Sequence, residues 1–181
     1  MKSPFTKKLF IIYPLVAFAL ALFLYFVPDY FFLEKLTAIL SARILQALIP
    51  VTLHIENHAA YVNGIQIVRE CTGIQVIAVF TGLILPIRSS WLKRVRTLAI
   101  LSAVLFLINA LRIAIEILIF ELKFVSWQIA HVGLSVVLGI IGVYLLTIMT
   151  DIFLPEFGDW IAQYWFFLKT KYENIKRKNI K

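Results

Sequence analysis

Glu70-Cys71-Thr72-Gly73-Ile74 marks the point where an extended, alternating segment gives way to a long apolar run, and it carries the chain's one cysteine. On its amino side, Val51 to Glu56 alternates apolar and polar side chains. Ile65-Gln66-Ile67 does so again after Asn63-Gly64, a dipeptide that favours tight hairpin turns. This predicts a small β-hairpin or three-stranded ribbon. On its carboxyl side, Cys71 to Ile87 runs for 17 residues without a charge, just long enough to cross a bilayer core. The junction therefore predicts a cysteine in the first turn of a transmembrane helix, where unpaired N–H groups and the helix dipole favour a thiolate. Cys71, Gln75, Ala78 and Gly82 would then share a small, mildly polar face suited to helix packing.

Composition agrees with a membrane setting. Of 181 residues, 61% are hydrophobic and 15% charged, and the mean hydropathy is +0.90, a balance that no ordinary soluble domain keeps off its surface. A single cysteine excludes an internal disulfide. The net charge of +8 gathers in short clusters, Lys2/Lys7/Lys8, Arg88 to Arg96 and Lys169 to Lys181, beside apolar runs. That pattern sets topology and attracts anionic lipid, and it gives no reason to invoke nucleic acid.

Leu9 to Pro28 holds no charge and predicts a first span with a cytoplasmic amino terminus, retained rather than cleaved. From Tyr30 to Ile49, Leu33, Leu36, Leu40, Ile44 and Leu48 form an amphipathic stripe interrupted by Glu34, Lys35 and Arg43. Arg88 to Arg96 places four positive charges and no negative one in a cytoplasmic loop. If the stretch 30–49 spanned, that loop would turn outward, so it is read as interfacial or re-entrant. Thr97 to Phe120 and Phe124 to Thr150 predict two more spans. Asp151 to Leu168, part acidic and rich in aromatics, reads as an interfacial helix, and 169–181 as a basic cytoplasmic tail. The fold class is thus an all-α integral membrane helix bundle of about four spans plus one or two interfacial helices. A small outer-face β-hairpin precedes the helix that Cys71 opens, and 1–181 forms a single domain with its core at 51–142.

Three residues gain meaning from this topology. Cys71 begins its helix at the outer face. Arg112 lies about 23 Å along its span from Thr97, and His131 about 10 Å in from Phe124, so all three fall in the outer half of the bilayer. An arginine within a span is costly and needs a partner; Asn109, Arg112 and Glu116 share one face, and an Arg112–Glu116 pair meets that need. His131, Ser135, Gly139 and Gly142 line one face, a small-residue seam for close helix packing. A thiol, a base with a pKa near neutrality and a permanent cation make up the parts of nucleophilic acyl transfer, with Cys71 as nucleophile, His131 as base and Arg112 at the oxyanion. His54 and His58, four apart, lie in a segment that reads as strand, and their spacing does not fit a metal motif, so neither a metal nor a cofactor is expected.

Together, Glu70-Cys71-Thr72-Gly73-Ile74 opening a span, Asn109-Ala110-Leu111-Arg112 late in the next and His131 early in the following one resemble the exosortase/archaeosortase family of membrane sorting enzymes, over residues 51–142. The resemblance implies a cysteine transpeptidase or protease with Cys71, Arg112 and His131 as catalytic residues, matching the family's proposed Cys, Arg and His positions. Its substrates would be membrane-anchored proteins with a carboxy-terminal sorting signal of short motif, hydrophobic span and basic cluster, cleaved at the outer face and passed to a lipid or other acceptor. Glu70, Thr72, Gly73, Asn109 and Glu116 are the expected supporting residues. Some archaeal members carry arginine at the third position; this chain has histidine, as the bacterial type does, and is shorter than the larger members. The alternative is a non-enzymatic assembly or transport subunit of an envelope or exopolysaccharide pathway, with Cys71 inert.

Overall fold

The computed structural model describes residues 7–26, 29–56 and 58–179. Six helices and three strands follow in the order α1 (Lys7–Phe26), α2 (Phe31–Gln46), β1 (Leu53–Glu56), β2 (Ala59–Val62), β3 (Ile65–Ile67), α3 (Ile74–Ile84), α4 (Trp91–Glu121), α5 (Leu134–Phe153) and α6 (Pro155–Asn179). A 3-10 turn, Arg69–Thr72, precedes α3, and a π-helical turn, Ile129–Gly133, leads into α5.

The long helix α4 is the axis of the fold. Ser90 starts it, its hydroxyl accepting from the Lys93 backbone N–H at 3.3 Å, and 31 residues carry it about 46 Å. Its first half joins one core cluster with Tyr13, Phe80, Ile84, Leu154, Phe157 and Trp160 through Leu101 and Leu105. Its second half joins another through Ile113, Ala114 and Ile117, which pack with Ala38, Ala42, Leu45, the sheet residues Ala60, Val62 and Ile67, and Cys71.

The extended segment forms a three-stranded antiparallel sheet in the order β1-β2-β3, the second of the two shapes expected from its alternation. Asn63 and Gly64 both take positive φ, 48° and 77°, as a two-residue hairpin turn requires. Asn63 also ties the sheet to the helices, since its Nδ2 donates to Glu121 Oε1 at 3.0 Å.

Several expectations need correction. Cys71 to Ile87 is not one helix: Cys71 lies in the 3-10 turn, Gly73 takes φ 75°, and α3 runs only from Ile74 to Ile84 before Pro86. Eleven residues reach about 16 Å, half a bilayer core, and Cys71 does not sit in the first α-turn, which removes the helix-dipole argument for its thiolate. Among the described residues, α4 and Ile129–Phe153 are long and apolar enough to cross a membrane, with a third crossing if the bent pair Ile12–Phe26 and Phe31–Gln46 counts as one.

The leucine stripe of α2 is not its buried face. Thr37, Ala38, Ser41, Ala42 and Leu45 are buried, whereas Leu36 and Leu48 are exposed. Small residues let two backbones approach in an apolar solvent that gives large side chains no reason to hide; here the Ser41 hydroxyl donates to the Ala110 carbonyl at 3.0 Å across the α2–α4 contact. Finally, the Arg88–Arg96 cluster is not all loop. Lys93, Arg94 and Arg96 lie in the first turns of α4, and α6 continues through the basic tail to Asn179.

Gly82 on α3 is required by packing. A Cβ there would run into the Ala17 carbonyl oxygen of α1, so the predicted small face of α3 does serve helix contact at this position. The seam of α5 does not. Nothing lies within 4 Å of a Cβ placed on Gly139 or Gly142, and both border open space instead.

Candidate active site

The face of α4 that carries Asn109, Arg112 and Glu116 meets the Cys71 turn on one side and the start of α5 on the other. Asn109 is buried, and its Nδ2 donates to the Cys71 carbonyl oxygen. Its side chain also lies against Gly73, 3.4 Å from where a Cβ would stand. Asn109 therefore fixes the backbone of the turn that presents the cysteine. Thr72 locks the same turn from within: its hydroxyl donates to the Arg69 carbonyl at 2.7 Å and accepts from the Ile74 N–H at 3.3 Å. Helix α1 closes the outside of the turn. Tyr25 donates to Glu70 Oε1 at 3.0 Å, and Arg69 donates to the Tyr25 carbonyl at 3.2 Å.

Glu116 is fully buried, which a carboxylate tolerates only with close partners. It has three. His131 Nδ1 lies 2.8 Å from Oε2, the Ser135 hydroxyl donates to Oε1 at 3.0 Å, and Arg112 Nε stands 3.6 Å from Oε1 as an ion pair. Arg112 Nη1 in turn donates to the Ser135 oxygen at 2.8 Å. The ring of His131 stacks on Trp127, centroids 5.1 Å apart and planes 11° from parallel. A π-helical turn places His131, the kind of helix irregularity often found at functional sites.

A cavity of about 300 Å³ opens beside this network, between α3 and α5 with α4 as its floor. Arg112, Asn109 and Ser135 line it, together with Glu70 and Gly73, which flank Cys71 in the chain, and the bare backbone of Gly139 and Gly142. Arg112 contributes a donor without an acceptor. Its Nη2 is buried and has no hydrogen-bond partner among the described residues.

The residues expected from the sequence thus fall into two groups that share a wall. Arg112, Glu116 and His131 are joined directly; Glu70, Cys71, Thr72 and Gly73 form the turn across from them, which Asn109 of α4 holds. Cys71 is 4% exposed and lies within electrostatic reach of both Arg112 and Glu116, but among the described residues no hydrogen bond links it to His131. Sequence reasoning took Glu116 as the partner of Arg112 alone and Ser135 as packing. The pairing of Glu116 with His131 crosses 15 positions and two elements, so no periodicity announces it.

A family model described as transmembrane exosortase (Exosortase_EpsH) matches residues 5–150. The chain belongs to the exosortase family. No curated protein and no solved structure matches it. The exosortase match takes in every residue of the site, from Glu70 to Ser135, and leaves out α6, so the network and the cavity both belong to the part of the chain that the family shares. The resemblance first drawn from three short motifs between residues 51 and 142 extends on this evidence to most of the chain, and this exosortase is a membrane protein with apolar helices.

Proposed function

We propose that this exosortase is a membrane-embedded cysteine transpeptidase or protease. It acts on membrane-anchored proteins that end in a short motif, an apolar span and a basic cluster. Cys71 loses its proton to His131, and the thiolate attacks the substrate carbonyl. Arg112 meets the oxyanion, and His131 returns the proton to the leaving amine as the C–N bond breaks. The thioester on Cys71 then passes its acyl group to water, a lipid or another acceptor, and the thiol is restored. Asn109 and Thr72 hold the cysteine turn, and Glu70 and Gly73 frame its mouth.

The observation that carries this reading is that Arg112, which lines a cavity bounded by the neighbours of Cys71, holds a buried Nη2 with no hydrogen-bond partner among the described residues. An unsatisfied buried donor on a permanent cation is costly unless an acceptor arrives, and a developing oxyanion is such an acceptor. Charge supports the orientation. Lysines at and before the start of α1, the basic residues at the start of α4 and the lysine-rich end of α6 fit a cytoplasmic face with both termini, which sets Cys71 outside and lets the basic clusters meet anionic lipid. The whole of residues 1–181 serves this one task as a single membrane domain.

The experiment is processing of a membrane-anchored reporter that ends in motif, apolar span and basic cluster. Cys71→Ala should abolish processing, and Arg112→Ala should slow it by about 10²–10³-fold, the usual loss for one oxyanion donor. Processing that survives Cys71→Ala sinks the reading. The burial of Cys71 favours a second one, a non-enzymatic subunit of an envelope-polymer pathway. A membrane-impermeant maleimide separates the two: modification of Cys71 on intact cells supports the enzyme, whereas an unlabelled Cys71 with full function in Cys71→Ala supports the subunit.

A further inference from the structure

We propose that Glu116 is the positioning residue for His131, setting its tautomer and aiming Nε2 as the base; this rests on the reading of Cys71 as nucleophile and His131 as its base. The direction of each hydrogen bond follows from what its ends can give. Arg112 Nη1 only donates, so the Ser135 oxygen accepts it at 2.8 Å. Ser135 has one proton, and that proton goes to Glu116 Oε1 at 3.0 Å. An ionised carboxylate has none to give, so at 2.8 Å the proton between Oε2 and His131 Nδ1 belongs to the ring. A neutral His131 then carries its lone pair on Nε2. The stack on Trp127 fixes the plane of the ring while the Nδ1 bond fixes its rotation within that plane.

The same chain of bonds ties the two working groups together. Arg112, Ser135, Glu116 and His131 form one line, so the cation at the oxyanion and the base share the fully buried Glu116 as their common anchor. When His131 takes the thiol proton, the imidazolium forms against a carboxylate that is already in place and carries no solvent of its own to reorganise. Burying that carboxylate costs several kcal/mol before its partners offset it. A glutamine would fill the same volume, but it can turn an N–H toward Nδ1 and so favour the opposite tautomer.

The test uses the full chain in detergent micelles, labelled with ¹⁵N-histidine, with His131→Gln to separate its signals from those of His54 and His58. The wild type should show Nδ1 protonated and Nε2 bare when the ring is neutral. Glu116→Gln should mix or reverse the two and slow processing of the motif-span-basic reporter by on the order of 10²–10⁴-fold, as a wrong tautomer does. Glu116→Asp, which keeps the carboxylate, should recover at least about tenfold of that loss. A wild-type ring protonated on Nε2 overturns the proposal, and because it needs no turnover and no change at Glu116 it decides even if Glu116→Gln fails to fold. Wild-type processing by Glu116→Gln, with Cys71→Ala and His131→Ala inactive, overturns it while leaving the enzymatic reading intact.

Discussion

Helix α4 carries ionic contacts at two places among the described residues, one near each end, and they are built on opposite principles. Near its start Lys93 Nζ meets Glu156 of α6 at 2.8 Å, with the two side chains 33% and 39% exposed. Some 20 residues on, Glu116 meets Arg112, Ser135 and His131 with none of its own surface exposed. The first pair keeps its hydration and can be remade in water, so it fastens two elements weakly and specifies little. The second has given up its water, so it holds only while every partner is in place, and it fixes the direction of each proton. A chain that needed only to pin α5 to α4 had cheaper means in apolar packing, which is why the buried network reads as a working site and the exposed pair as a fastener.

The comparison breaks most visibly at Glu116. Glu116→Ala should lower the stability of the protein in micelles by about 3–5 kcal/mol, because it strands Arg112 and one end of both Ser135 and His131 in a buried place. A loss under about 1 kcal/mol in thermal unfolding would put Glu116 in the same class as Glu156. Between the two lies Gly82, where the packing is uncharged. Gly82→Ala pushes a methyl group into the Ala17 carbonyl of α1 and should cost about 1–3 kcal/mol, more than loss of the Lys93 pair although no charge is touched.

Lys93→Ala should have the smallest effect, at most about 1 kcal/mol at neutral pH. Its pH dependence sharpens the contrast. The hydrogen bond from Lys93 holds the Glu156 carboxyl below its ordinary range, helped by the Glu156 backbone N–H and by Ser89. A carboxylate whose folded value is lowered adds stability above the ordinary carboxylate range and loses it as pH falls through the folded value. Wild type and Glu156→Gln should therefore differ at neutral pH and converge in acid. Unfolding curves that stay apart at pH 3 would show that Glu156 acts through something other than its charge.

Much of the architecture was legible in the chain, and the misreadings share a cause. Hydropathy alone revealed an integral membrane protein, alternation with Asn63-Gly64 revealed the sheet, and the apolar run from Thr97 to Phe120, interrupted only by Arg112 and Glu116, revealed the long apolar helix that α4 provides. Hydropathy also merged Cys71 with the helix that follows it. Gly73 and Pro86, both visible in the sequence, bracket the true helix α3; a count of uncharged residues passes over them because neither is charged. The stripe on α2 failed for a related reason. In lipid, large apolar side chains mark the outside as readily as the inside, so small residues carry the packing signal that leucines carry in water.

The candidate site divides along the same line. Residue type and helical spacing were enough to single out Cys71, Arg112 and His131, to set Asn109, Arg112 and Glu116 on one face, and to pair Arg112 with Glu116, since all of this follows from costs and periods local to one element. Tertiary structure alone decided that Glu116 also holds His131, that Ser135 relays between them and Arg112, and that Gly139 and Gly142 border a cavity instead of a helix contact. Each of these depends on how α3 and α5 sit against α4. A hydrogen bond between elements is set by a few tenths of an ångström of docking, and no period in a linear sequence records that distance.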